Sequence, residues 1–347
     1  MNRRLVFAFP GRLDTKTGGY AYDRHLIREL SDLGWSVEPV SLGEGFPDPS
    51  PVVLAQAERQ LSELPDGDLV LVDGLAFGVM PDWAVREAKR LRLVALVHHP
   101  LALETGVSAE QKQRLLASET RALSAVRHVF VTSHATARQV ASLLDVPYPK
   151  ITAALPGTEP GEIASSGMVE PHILSVGSLT RRKGHDVLLR ALALLRHLAW
   201  RATIIGSPDL DPVTAKELAA LCEDLSLTDR VTLAGEQPDV RAEMARADIF
   251  VLASRYEGYG MVFAEALAHG LPVVGCRAGA VPDVVPQDAG FLVEVDDIDA
   301  LADAIGRLVA DGPLRETMAA AARRAGLALP TWRETAVTVS NRLEDIQ

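Results

Sequence analysis

The stretch Arg255–Leu271, RYEGYGMVFAEALAHGL, decides the fold. It follows the apolar run Ile249–Ala253, which reads as a buried parallel strand. Glycines at 258 and 260 break that run. The pattern then predicts a helix from about Met261 that stops at Gly270, with Pro272 behind it. A strand, a glycine-rich turn and a helix N-terminus bind anions, because unpaired amides point out of the turn. Two carboxylates flank this turn, Glu257 before it and Glu265 inside the helix. A carboxylate cannot neutralise a phosphate but readily accepts hydrogen bonds from hydroxyls. The pattern suits a ligand carrying both phosphates and diols, such as a nucleotide sugar.

Outward from this stretch, short apolar runs alternate with helical periodicity. Upstream, strands are expected at Leu5–Phe9, Ser36–Val40, Leu69–Val72, Leu93–Val97 and Val129–Val131, with helices at Tyr20–Leu33, Asp82–Arg90 and Ala109–Ser124. From Val146 to Val169 proline and glycine, Gly167 among them, mark a linker or domain edge. The alternation resumes at Ile173–Val176 and runs to helices at Ile298–Ala310, Leu314–Leu327 and Trp332–Leu343. Such alternation indicates parallel sheets covered on both faces. The expected organisation is α/β, with domains at 1–165 and 170–325 and a C-terminal helical segment at 326–347.

The chain has 347 residues, enough for two ordinary domains, and a net charge of −11. That acidity argues against a nucleic-acid binder and weakens attachment to an anionic membrane. Two distant cysteines, Cys222 and Cys276, give neither a disulfide framework nor a metal cluster; Cys276 reads as a small core residue. The N-terminal apolar run is too short for a signal peptide, and no apolar window reaches a membrane-spanning length. These features lead to the expectation of a cytoplasmic protein, compatible with peripheral contact at the inner face of the membrane. They leave the oligomeric state open.

Three further constellations fall at strand ends, where open α/β sheets bind ligands. Gly18-Gly19 precedes the first expected helix and allows close backbone approach. His98-His99 follows Leu93–Val97 and offers proton-handling or oxygen-binding side chains. In SVGSLTRRKGHD, Ser175–Asp186, the cations Arg181, Arg182 and Lys183 crowd a glycine at a strand-to-helix junction and suit a diphosphate. Neither the dinucleotide-binding glycine fingerprint nor a Walker A spacing is present.

In this order the pieces resemble the family 4 retaining glycosyltransferases, also called glycosyl transferase group 1. The E-x7-E motif of that family is matched by Glu257 and Glu265, its lysine–glycine element by VGSLTRRKGHDVLL and its lead-in by LASRYEG. The resemblance implies the GT-B fold: two Rossmann-like domains facing across a cleft, with the C-terminal helix crossing back to the first domain. It implies a nucleoside-diphosphate sugar as donor, a hydroxyl acceptor, no cofactor and no obligatory metal.

By the same resemblance Glu265 grips the ribose diol and Glu257 the transferred sugar. The amides around Gly258, Tyr259, Gly260 and Met261 face sugar and phosphate. Lys183 holds the diphosphate, Gly18 and Gly19 approach it, and His98, or His99 one residue on, lies near the transferring centre. Many relatives carry arginine where this chain has Ser178, so that charge falls to Arg181 or Arg182. Asp14, Lys16, Tyr20, Tyr22, His99 and Glu104 are placed on the acceptor side by sequence position. Competing readings within the fold are a phosphorylase and a nucleotide-sugar epimerase. A non-enzymatic sugar-nucleotide-binding scaffold is a third.

Overall fold

The computed structural model describes residues 3–165 and 169–346, and Gly167 lies outside the described residues. The chain divides into two compact units, Met1–Gly157 with Pro330–Gln347, and Thr158–Leu329.

Unit 1 holds six strands: β1 (Arg4–Phe9), β2 (Ser36–Ser41), β3 (Leu69–Asp73), β4 (Arg92–Val97), β5 (His128–Val131) and β6 (Ile151–Ala153). They pair in the order β2-β1-β3-β4-β5-β6, every pair parallel. The apolar runs form strands because both faces are covered: β3 and β5 are buried at every residue. Strand order turns at β1, which has β2 on one side and β3 on the other. The loops leaving β1, β3 and β4 therefore gather where such sheets bind ligands.

The segment expected as a linker or domain edge from Val146 begins as an edge of the first sheet. Residues 151–153 pair with β5 as the last strand of this sheet. Three residues are too short for periodicity to reveal. The sheet is completed by a helix from the far end of the chain, Trp332–Ile346, which packs on the helix Gly18–Asp32. Trp332 stacks on His25 with centroids 4.3 Å apart and meets the edge of Tyr22 at 5.5 Å. The indole of Trp35 donates to Ser340 Oγ at 2.9 Å. A Cβ at Gly157 would lie 2.1 Å from the Trp332 nitrogen, so only glycine lets the strand-exit backbone pass there.

Unit 2 repeats the plan with β7 (His172–Val176), β8 (Arg201–Ile205), β9 (Val231–Gly235), β10 (Ile249–Leu252), β11 (Val273–Cys276) and β12 (Gly290–Val293). The order is β12-β11-β10-β7-β8-β9, again all parallel. Here the order turns between β7 and β10. The loops leaving these two strands carry Arg181–Lys183 and Glu257–Gly260. Cys222 and Cys276 are free and buried in this unit's core.

The expected class, two Rossmann-like α/β units with a long C-terminal helix, is the one observed. Among the described residues no helix is long and apolar enough to cross a membrane.

Candidate functional site

In unit 2, Lys183 Nζ lies 2.6 Å from Glu257 Oε1, and both side chains are largely buried. Ser254 Oγ donates to the same oxygen at 2.6 Å, and Arg182 stands 3.8 Å from Oε2. Burial alone would raise the carboxyl's pKa. Lys183 and Arg182 outweigh it and hold Glu257 below its ordinary value, so it is ionised. Its backbone is also fixed. Ala280 N donates to Glu257 O at 2.9 Å, and Gly279, at φ +57, passes so close that a Cβ would sit 2.0 Å from that oxygen. Gly279→Ala is therefore expected to lower the unfolding free energy by about 1–3 kcal/mol, measured by urea denaturation.

Gly260 opens the helix Met261–Ala268 at φ +92, with no side chain capping it. Its first amides lack intrahelical acceptors and point out of the turn. Glu265, one turn into this helix, is half-buried; its backbone O accepts from His269 N at 3.1 Å, while its carboxyl has no hydrogen-bond or ion-pair partner among the described residues. Burial pushes its carboxyl up to about 7, Arg241 and Glu159 acting in opposite directions. Tyr259 is buried, and its hydroxyl has no hydrogen-bond partner among the described residues.

The three cations of the β7 exit separate. Arg182 donates to Tyr256 O at 3.2 Å, beside the glutamate. Arg181 turns away to Glu217 at 3.0 Å and is 67% exposed. Sequence reasoning missed what joins the two loops. Arg255 grips Asp186 at 2.8 Å and Asp296 at 2.8 Å, and its backbone N donates to Arg182 O at 2.8 Å. A Cβ on Gly184 would meet Ala253 O at 1.9 Å, so the loops touch through bare backbone. The only signal available was an arginine beside the motif glutamate, indistinguishable in sequence from a solvated charge.

In unit 1, His98 leaves β4 with its Nε2 at 3.3 Å from Asp23 Oδ1 and 3.2 Å from Asp73 Oδ2. Burial alone would lower the imidazole's pKa; the two carboxylates overcome it and raise it well above the ordinary value. Burial in turn raises the carboxyl of Asp23. Sequence reading did not find Asp23 or Asp73. They lie 75 and 25 residues before His98, and only the sheet brings them together. The three form a group with ligand-type atoms within 4.8 Å of one another. A proton shared from one ring nitrogen to two carboxylates accounts for the same distances.

Gly18 and Gly19 do not precede the first helix; they begin it, since the extended Thr17 is its N-cap. Glycine is tolerated there because the first turn makes few internal bonds. A Cβ on Gly19 would sit 3.5 Å from the His98 ring, so this glycine borders the imidazole. His99 pairs with Glu104 at 3.2 Å. Asp14 is exposed and pairs with Arg12 at 2.7 Å. Tyr20 is half-buried, and burial, then Asp73 and Asp23, push its phenol up to about 12. Lys16 has a partner within the fold. Tyr22 is buried, donating to Ala154 O at 2.9 Å and meeting the His98 ring in a T-shaped pair. Its helical position sets it on the core face, which its place in the sequence alone could not tell.

Residues 164–325 match the profile of the family described as Glycosyl transferases group 1. A lipopolysaccharide core biosynthesis mannosyltransferase of Rhizobium leguminosarum bv. viciae is 31% identical over 192 residues, 52% of this chain and 54% of that protein. A D-inositol 3-phosphate glycosyltransferase of Xylanimonas cellulosilytica is 38% identical over 160 residues, 45% of this chain and 38% of that protein. A GDP-mannose-dependent alpha-(1-6)-phosphatidylinositol monomannoside mannosyltransferase of Mycolicibacterium smegmatis is 33% identical, over 47% of this chain and 45% of that protein. The chain spans about half or less of the length of these relatives. Among solved structures, a sucrose-phosphate synthase of Thermosynechococcus elongatus is similar with a TM-score of 0.83 at 21% identity, over 98% of each chain. A glycosyltransferase of Rickettsia africae gives 0.76 at 16% identity, over 100% of this chain and 99% of that one. At these identities the likeness shows a shared fold.

Proposed function

We propose, on the premise that residues 164–325 belong to the glycosyl transferases group 1, that the chain transfers a hexose from a nucleoside-diphosphate sugar to a hydroxyl acceptor with retention of anomeric configuration. The observation that carries this reading is the buried Lys183–Glu257 pair beside the uncapped helix start at Gly260. It combines a cation for phosphate, the amides of a turn and helix start, and an ionised acceptor for sugar hydroxyls in one place.

In this reading Glu257 and the amides of Gly258, Tyr259, Gly260 and Met261 hold the sugar and its phosphate, and Glu265 takes the ribose diol. Lys183, with Arg182 beside it, meets the charge that develops on the departing diphosphate. Arg181 is left out of this role because it is held at Glu217. In unit 1 the amides at the start of the helix Gly18–Asp32 suit phosphate, and His98 orients substrate oxygens. The reaction breaks the bond from the anomeric carbon to the diphosphate oxygen and forms one to the acceptor oxygen. The acceptor's proton passes to the leaving phosphate on the same face. A double displacement would need a carboxylate nucleophile, and Glu257 and Glu265 are assigned to hydroxyls. No obligatory metal enters this scheme, and Asp14, Lys16, Tyr20, His99 and Glu104 are assigned to the acceptor side.

Two relatives are named for mannose transfer, one of them as GDP-mannose-dependent, so GDP-mannose is the first donor to test. Their named roles in lipopolysaccharide core and phosphatidylinositol mannoside synthesis favour a lipid-linked acceptor and peripheral membrane contact. The test is a thermal-shift screen with nucleoside diphosphates and their sugars, with magnesium and with chelator, because a ligand of the native state raises its stability. One donor should stabilise the protein whether or not magnesium is present. Glu265→Gln should weaken its binding by about 10–100-fold, the worth of a hydrogen bond to a charged group. Stabilisation by inorganic phosphate with disaccharide breakdown and no nucleotide response would favour a phosphorylase instead.

A further inference from the structure

We infer that Asp23 and Asp73 are positioning residues: together they hold His98 through Nε2 as a fixed hydrogen-bond donor, so that His98 serves the substrate through Nδ1. This rests on the transfer reaction proposed above and assigns the role of one of its groups.

Two carboxylates converge on a single ring nitrogen, at 3.3 and 3.2 Å. Both are almost wholly buried, Asp23 at 0% and Asp73 at 2% exposed. A carboxylate only accepts, so the nitrogen between them carries hydrogen. Each aspartate is itself anchored. Asp23 sits on the core side of the helix Gly18–Asp32, and Asp73 Oδ1 takes the Leu75 amide at 2.8 Å as a helix cap. The second Asp23 oxygen, Oδ2, is buried with no partner among the described residues. That arrangement is costly for stability alone, as expected where charge is kept for function.

The ring has little freedom to turn. Thr132 Oγ1 donates to His98 O at 3.2 Å, Tyr22 presents its edge at 5.4 Å, and Gly19 borders the ring face. Nδ1 has no partner among the described residues, while the side chain is 16% exposed. The charged and titratable groups around it are Asp23, Arg24, Tyr20 and Tyr22 on the first helix and Asp73 at the end of β3. Arg24, on the same helix, lowers the carboxyl of Asp23. Two opposite charges at Nε2 favour the imidazolium. It can meet negative charge on a phosphate or a polarised sugar oxygen.

The test follows the His98 imidazole by 15N-detected NMR in the substrate-free protein, assigned by the loss of one signal in His98→Asn. In the wild-type protein the ring should stay doubly protonated through pH 8.5. Asp23→Asn and Asp73→Asn should each lower its midpoint by about 1–3 pH units, the effect of removing one adjacent opposite charge. The raised value belongs to the folded state, so the cation is present below the midpoint and lost as pH rises through it. In turnover, each variant should lose kcat as pH rises through its lowered midpoint, regain it toward pH 6, and keep the wild-type KM for donor; the wild type should show no such limb below pH 8.5.

A wild-type ring titrating near its ordinary value would overturn the assignment. So would an unchanged midpoint in both variants, or stoichiometric zinc binding that displaces the ring proton at neutral pH. The imidazole titration needs no turnover. If no nucleotide sugar is used, the proposed reaction fails while the positioning claim is still decided.

Discussion

Replacing Lys183 with alanine is expected to lower kcat/KM by about 10²–10³-fold, the cost of losing one preorganised donor at a site of developing charge. The same change should destabilise unit 2 by about 3–5 kcal/mol, because it leaves a buried carboxylate without its cation. Both effects come from one 2.6 Å contact between largely buried groups. Arg182, at 3.8 Å and committed to Tyr256 O, cannot replace it fully. The sign of the pH dependence separates the two causes. In the wild type Glu257 is depressed, so its contribution is present above the unfolded value and lost as pH falls through the folded one. Without Lys183 burial dominates and the folded carboxyl rises, so the penalty is felt at neutral pH and is relieved on acidification. Urea melts at pH 7 and pH 5 should therefore converge on wild type at the lower pH. Adding Glu257→Gln to Lys183→Ala should recover most of the stability and none of the turnover. Lys183→Ala turning over within fivefold of wild type would remove the lysine from the mechanism.

The second large effect is structural. Trp332→Ala should cost about 3–5 kcal/mol, the usual loss for deleting a buried indole. Trp332 is 6% exposed, stacks on His25 and fills the space that Gly157 leaves open. The loss should appear in unit 1, where Trp35 and Trp83 report by fluorescence, while Trp200 reports the second unit. Equal shifts in both signals would mean that the two units melt as one. A change below about 1 kcal/mol would show that the surrounding side chains close the gap.

The sheets and the glutamate motif were legible because their signals are local. Apolar runs such as Leu69–Val72 and Leu93–Val97 fall within the observed strands, and the two motif glutamates sit as spaced, one in the loop and one in the helix. The helices Pro51–Ser62 and His134–Leu143 were not read from the sequence, although Ser50 and Ser133 cap them. A serine before a mixed polar run is a weak start signal unless the apolar period behind it is strong. The extended Thr17, which moves Gly18 and Gly19 into a helix, is equally silent.

The site divides along the same line. Lys183 and Glu257 were readable because each lies in a motif of its own. Their contact, and the clasp of Arg255 on Asp186 and Asp296, depend on β7 and β10 being neighbours. Asp23 and Asp73 needed the adjacency of β1, β3 and β4. Pairings across a sheet are set by chain topology, which no single stretch of sequence displays.

The return of the last helix to the first unit has a consequence for how the protein is made. The ribosome finishes all six strands of the first sheet by residue 153, then makes the whole of residues 158–329 before the helix that covers Tyr22 and His25 exists. Until then the nascent chain carries a bare aromatic surface, a natural client for a chaperone.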